Sequence, residues 1–208
     1  DTMNRESWLT QAALQLEQVV FAPIDKHLPD AWRVSCSWPS RRAAGPHQSG
    51  ASGQCFDSSL SADATTELLV SMSQDNPTEV LAILAHEMIH AIEGCAAGHG
   101  AVFKRTALAI GLTGKMTATV AGDAFKQSIE PILETLGDYP HAAVDIRKRK
   151  RQSTRMIKMT CADCGYIART SATNILSKGT TLCPCNREPM TCDTQNARSE
   201  CRKTTLGG

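Results

Sequence analysis

The chain has 208 residues, enough for one or two domains with a hydrophobic core, and 41% of them are hydrophobic, an ordinary share for a globular protein. No apolar run approaches the ~18 residues of a membrane span. The opening "DTMNRESWLTQAALQLEQ" has no basic stretch followed by an apolar core, so neither a signal peptide nor a membrane partner is expected, and a cytoplasmic location is.

The net charge of +1 conceals a division. Residues 1–146 carry 9 Lys+Arg against 17 Asp+Glu, and residues 147–208 carry 13 against 4. An acidic body followed by a basic segment suggests contact with nucleic acid.

Along the chain, Leu9, Ala12, Ala13, Leu16, Val19 and Val20 recur at helical spacing over 5–20, until Pro23 and Pro29 end the region. "AWRVSCSW" alternates Trp32, Val34, Cys36 and Trp38 against Arg33, Ser35 and Ser37, which predicts a half-buried strand. The Gly/Ser/Pro-rich "PSRRAAGPHQSGASG" is expected to be a mobile loop. "QCF" and "ELLVSM" read as two further strands. Asn76 then caps a helix that has Pro77 at its first position, runs to about Glu93 and stops at Gly94. Helical patterns also cover 101–110 and 123–136. The predicted class is α+β.

The helix over 78–93 carries "HEMIH". Leu81, Ala85, Met88 and Ile92 form its core stripe. His86 and His90 are four apart, so both imidazoles leave one side of the helix and can share an ion. Glu87 lies beside them, placed to take a proton from water at that ion. The third ligand can come from Glu93, Cys95 or His99. Glu93 stands roughly 10 Å along the axis from His86 at ~1.5 Å per residue, too far for one ion on a straight helix. Cys95 is too near the helix end to return comfortably. "GCAAGHG" is built to turn back, so His99 is the expected third ligand, and three ligands plus an open position suit a catalytic zinc.

Further on, "RKRKRQSTRMIK" places Arg147, Lys148, Arg149, Lys150, Arg151, Arg155 and Lys158 in twelve residues without an acid. Such a run neutralises phosphates and predicts DNA binding without sequence preference. The chain has 9 cysteines, six of them after residue 160. Cys161-x-x-Cys164 is followed, nineteen residues on, by Cys183 and Cys185. Paired thiols of this kind, without a secretion signal, predict a closed structural zinc ribbon rather than a disulfide framework. Because the second pair is Cys-Pro-Cys, Cys192 is an alternative ligand in place of Cys183. A segment this small is expected to fold only with its metal. Cys36, Cys55, Cys95 and Cys201 read as structural or incidental, and His27 and His47 as surface residues. Tyr139 and His141 either line a cleft or pack.

At "HEMIHA…GHGAVF" the sequence resembles the SprT-like, or Spartan-like, metallopeptidase family. Its pattern is an H-E-x-x-H helix, a short turn, a third His in an H-G pair, and an aromatic three residues later; here Phe103 stands four after His99. "SWLTQAALQL", "RVSCSWPS", "GQCF…SAD", "GLTGKMTAT" and "DYPHAA" extend the resemblance, to the bacterial and phage branch, over roughly 5–192. The loop between His90 and His99 is shorter than in eukaryotic relatives.

The resemblance implies His86, His90 and His99 as ligands and Glu87 as general base in a zincin-like catalytic domain over 1–140. A basic linker over 141–156, a zinc ribbon over 157–192 and a disordered tail over 193–208 would follow. One catalytic and one structural zinc are implied. Well-studied relatives cleave proteins crosslinked to DNA, with DNA as activator, so a DNA-associated endopeptidase is the expectation. The edge of "ELLVSM" is the expected seat of an extended substrate chain. A non-enzymatic DNA-binding or transcription-associated ribbon adaptor and a general intracellular metallopeptidase are the alternatives.

Overall fold

A computed structural model describes residues 3–40, 51–145 and 156–192. Most of the predicted loop, Arg147 to Arg155 of the basic run, His47, Cys201 and the tail over 193–208 lie outside the described residues. The chain divides into two compact units, Asp1–Lys148 and Arg149–Gly208. Both are mixed α and β, with five α-helices and three small sheets among the described residues. No helix among those residues is long and apolar enough to cross a membrane.

In the first unit, Asn4 accepts a hydrogen bond from the Ser7 amide and starts α1, Arg5–Leu16. Trp8, Leu9, Ala12, Ala13 and Leu16 turn one fully buried face of that helix to the core. A π-helical turn, Glu17–Phe21, prolongs it. Next come β1, Trp32–Ser37, β2, Gly53–Phe56, and β3, Thr66–Ser71. β3 is the middle strand, parallel to β1 and antiparallel to β2. Both its edges are therefore hydrogen-bonded, and the expectation that "ELLVSM" offers a free edge is corrected. Among the described strands β1 and β2 each pair only with β3, so the sheet's two outer edges are theirs.

Asn76 accepts from the Glu79 amide at 3.1 Å, and α2, Pro77–Glu93, follows as the capping signals predict. Its buried face is wider than the four-residue stripe. Val80, Leu81, Ala82, Leu84, Ala85, Met88 and Ile89 are all buried, because the helix packs against the sheet on one side and against other helices on the next. α3, Ala101–Ala109, and α4, Asp123–Leu136, flank it. Between them lies an antiparallel hairpin, β4, Leu112–Lys115, and β5, Ala118–Ala121, absent from the sequence reading. Residues 141–144, assigned above to a linker, bond back to this unit. His141 Nε2 lies 2.9 Å from the Met72 carbonyl, and the Val144 amide donates to the same carbonyl at 2.8 Å.

The second unit contains β6, Ile157–Thr160, β7, Ile167–Thr170, α5, Ala172–Lys178, and β8, Thr191–Cys192, with sheet order β7-β6-β8. Its core is small: Ile157, Met159, Ala172, Ile175 and Met190, with Cys161 and Cys183.

Candidate metal centre and active site

His86 and His90 leave α2 one turn apart. The helix ends at Gly94, at φ 83°, and a short turn, Cys95–Ala97, closes at Gly98, at φ 52°. Both values lie in the left-handed region that side chains resist, and the double reversal swings the chain back. His99 thereby meets the two helical imidazoles. His86 Nε2 and His90 Nε2 stand 3.1 and 3.2 Å from His99 Nε2. A tetrahedral zinc with Zn–N bonds of ~2.0–2.1 Å requires nitrogen separations of about 3.3 Å. The three nitrogens therefore match the edge of such a shell.

Phe103 on α3 supports the cluster from below. Its ring is fully buried, with centroids 4.8, 4.7 and 4.9 Å from those of His86, His90 and His99. A ligand at His86 Nε2 needs the proton on Nδ1, and the Thr119 hydroxyl of β5 stands 2.8 Å from that atom to accept it. Burial pushes His86 down to about 3, aided by His90 and His99, and pushes His90 down to about 4, aided by His99. Burial lowers His99 as well. The rings are thus neutral near pH 7, with converging lone pairs, the state a divalent cation requires. Together, the donor set, the spacing and the neutral rings fit zinc.

Glu87 is only 6% exposed and is pushed up to about 8 by burial, against a lowering hydrogen bond from the Cys55 amide of β2. Its carboxylate occupies space that a side chain at residue 53 would fill. A Cβ on Gly53 would come 2.6 Å from Glu87 Oε1. Glu87 and the three histidines open into a cleft of about 1070 Å³, walled by β2, α2, β5 and the Cys95–Ala97 turn. The outer edge of β2 belongs to the same wall.

The other candidates fall outside this cluster. Glu93 has a side chain only 8% exposed, which accepts hydrogen bonds from Thr106 Oγ1 at 2.5 Å and Lys26 Nζ at 3.0 Å. Burial raises its carboxyl, but the Thr106 hydroxyl and Lys26 ammonium outweigh that and hold it below its ordinary value. It braces the end of α2 against α3. Cys95 turns to Cys55, 3.4 Å away between sulfurs. Tyr139 packs on Trp8, with ring centroids 5.0 Å apart, and neither it nor His141 lines the cleft. Cys36 is buried on β1, and His27 is an exposed residue near Glu17.

In the second unit the sulfurs of Cys161, Cys164, Cys183 and Cys185 lie within 4.8 Å of one another. Cys183 Sγ is 3.5 Å from Cys164 Sγ and 3.4 Å from Cys185 Sγ. A tetrahedron of ~2.3 Å Zn–S bonds spaces sulfurs by about 3.8 Å, so this donor set also suits zinc. The amides of Cys164 and Asp163 lower the Cys161 thiol to about 7, while sharing with Cys164 and Cys183 raises Cys185. Cys192 sits on β8 opposite Met159, outside the four. Lys158 is exposed on β6 opposite Arg169 of β7, so two cations share one face.

Thr119, Gly53 and Cys55 were not singled out by sequence as parts of this site. The alternation in "TATV" was available as a strand signal for Thr119. Nothing local marks Gly53. No family model matches the chain, and neither a curated protein nor a solved structure matches it.

Proposed function

We propose that the protein is a zinc-dependent endopeptidase of SprT-like, zincin-like kind that acts on proteins bound or crosslinked to DNA. The observation that carries the reading is the convergence of three neutral imidazoles at zinc-shell spacing beside the buried carboxylate of Glu87, in a cleft with an open strand edge. His86, His90 and His99 would hold the metal. Bound zinc supplies Lewis acidity that polarises a scissile carbonyl and acidifies water.

The chain's own residues do the rest. Glu87 takes a proton from the attacking water and returns it to the leaving amine, work that suits a carboxyl raised toward neutrality. The Cys55 amide holds that carboxylate in place. On the outer edge of β2 the Cys55 amide and carbonyl are engaged by Glu87 and Cys95, which leaves the Gly53 backbone to bind an extended substrate by hydrogen bonds. The four cysteines would hold a structural zinc. The run from Arg147 to Lys158, with Arg169, supplies cations for phosphates, which favours substrates already on DNA.

The test is to incubate zinc-loaded protein with a basic DNA-binding protein, with and without single-stranded DNA, beside Glu87→Gln. Cleavage that requires both DNA and Glu87 is expected. Cleavage that requires Glu87 alone would indicate a general peptidase. DNA binding with no cleavage in any lane would favour the non-enzymatic adaptor.

A further inference from the structure

Cys55 and Cys95 are 40 positions apart in sequence, yet their sulfurs are 3.4 Å apart. Neither belongs to the four-cysteine cluster, both are free thiols, and both line the cleft. A disulfide needs S–S of about 2.05 Å, so the sulfurs have about 1.4 Å to close. The elements that carry them can supply that movement. Cys55 lies on a strand paired on one side only among the described strands, and Cys95 begins a turn held between Gly94 and Gly98. The pair is also tied to the catalytic side chains: the Cys55 amide donates to Glu87, and the Cys95 turn leads into His99.

We propose that Cys55 and Cys95 form a reversible thiol–disulfide site that takes low-molecular-weight disulfides of the glutathione class as oxidant. Closure draws β2 and the turn together and shuts down the cleft. One cysteine, as thiolate, attacks the small disulfide, giving a mixed disulfide and releasing one small thiol. The other cysteine then displaces the second small thiol. The pair gives up two electrons and two protons, and the small disulfide becomes two thiols. Burial raises both cysteine thiols, which slows the first attack on the small disulfide. The second displacement is helped by the 3.4 Å proximity of the two sulfurs. The loss of cleavage on closure rests on the peptidase reading above; the formation of the bond does not.

The experiment uses the full zinc-loaded chain, equilibrated with excess glutathione disulfide, then denatured, alkylated and digested with trypsin. No Lys or Arg lies between Arg42 and Lys104, so one tryptic peptide, 43–104, carries Cys55 and Cys95 and no other cysteine. In the wild type this peptide is expected to carry no alkyl group and to weigh two hydrogens less than the free dithiol. In Cys95→Ala, which alters only a partly exposed turn side chain, Cys55 is expected to stay alkylated or carry one glutathione. Dithiothreitol is expected to restore both alkylations together with cleavage activity.

Full alkylation of both cysteines after equilibration overturns the proposal, as does a bond that forms only in urea. A joined pair with undiminished cleavage overturns the closing of the cleft. If the reduced protein cleaves nothing, the peptidase reading has failed, and the peptide mass still decides the thiol pair.

Discussion

Replacing Gly53 by alanine drives a methyl group into the carboxylate that the proposed reaction depends on. The added Cβ would stand 2.6 Å from Glu87 Oε1, 2.7 Å from Ile83 Cγ2 and 2.9 Å from Glu87 Cγ, where ordinary contact begins at 3.4 Å. The carboxylate must therefore shift by about 0.8 Å from the position in which the Cys55 amide holds it. A misplacement near 1 Å at a reacting group costs on the order of 10²-fold in rate. Overpacking of this kind costs about 1–3 kcal/mol of stability, or several degrees of melting temperature in a protein of this size. Steady-state cleavage with zinc-loaded Gly53→Ala should show kcat lowered by roughly two orders of magnitude with KM and bound zinc little changed, because the ligands are untouched. Adding Gly53→Ala to Glu87→Gln should then cost no further activity. Wild-type kcat with an unshifted melting temperature would show that Gly53 does not shape the seat of Glu87.

Three further outcomes follow from the same geometry. Thr119→Val removes the acceptor for the His86 Nδ1 proton and should weaken zinc at the histidine site by about 10–100-fold in chelator competition; unchanged affinity would remove Thr119 from that role. Cys185→Ser should cost the second unit its zinc, whereas Cys192→Ser should leave the stoichiometry intact by elemental analysis, and the reverse result would reinstate Cys192 as the ligand. In metal-free protein Glu87 is raised from 4.5 to about 8, so the folded state holds a proton that the unfolded state releases over that window. Stability should fall as pH rises through it, by at most about 1.4 kcal/mol per pH unit. Glu87→Gln should remove that fall in pH-dependent melts, and an unaltered profile would mean that Glu87 is not buried as described. His86 and His90, lowered from 6.5, act on the other side: the unfolded chain takes up protons first, so their contribution is lost as pH falls from 6.5 toward 3 and 4.

Much of this centre is local and therefore legible in sequence. The spacing of His86 and His90 on a helix fixes a shared direction. Asn76, Pro77 and Gly94 fix where that helix starts and ends. Two glycines around a three-residue turn bring back a histidine without help from distant chain. The Cys161–Cys164 knuckle is equally local, but the choice of Cys183 with Cys185 over Cys192 needed the β8 register, which places Cys192 against Met159 instead. The bracing role of Glu93 leaves no local mark because its partners, Lys26 and Thr106, lie 67 and 13 positions away in sequence. The β4–β5 hairpin escaped because its strands are only four residues each, too short for the alternation in "TATV" to stand out.

The sequence by itself determined the α+β class, the three histidines as one candidate ligand set and the Cys161–Cys164 knuckle, since those follow from helical periodicity, turn chemistry and ligand spacing within short stretches. Only the tertiary structure decided which strand edge is open, that Thr119 stands behind His86, that Gly53 leaves room for Glu87, and that Cys55 meets Cys95. Each of these is a meeting of residues brought together by sheet order and core packing, and strand pairing across the chain leaves no mark in the local pattern of either partner.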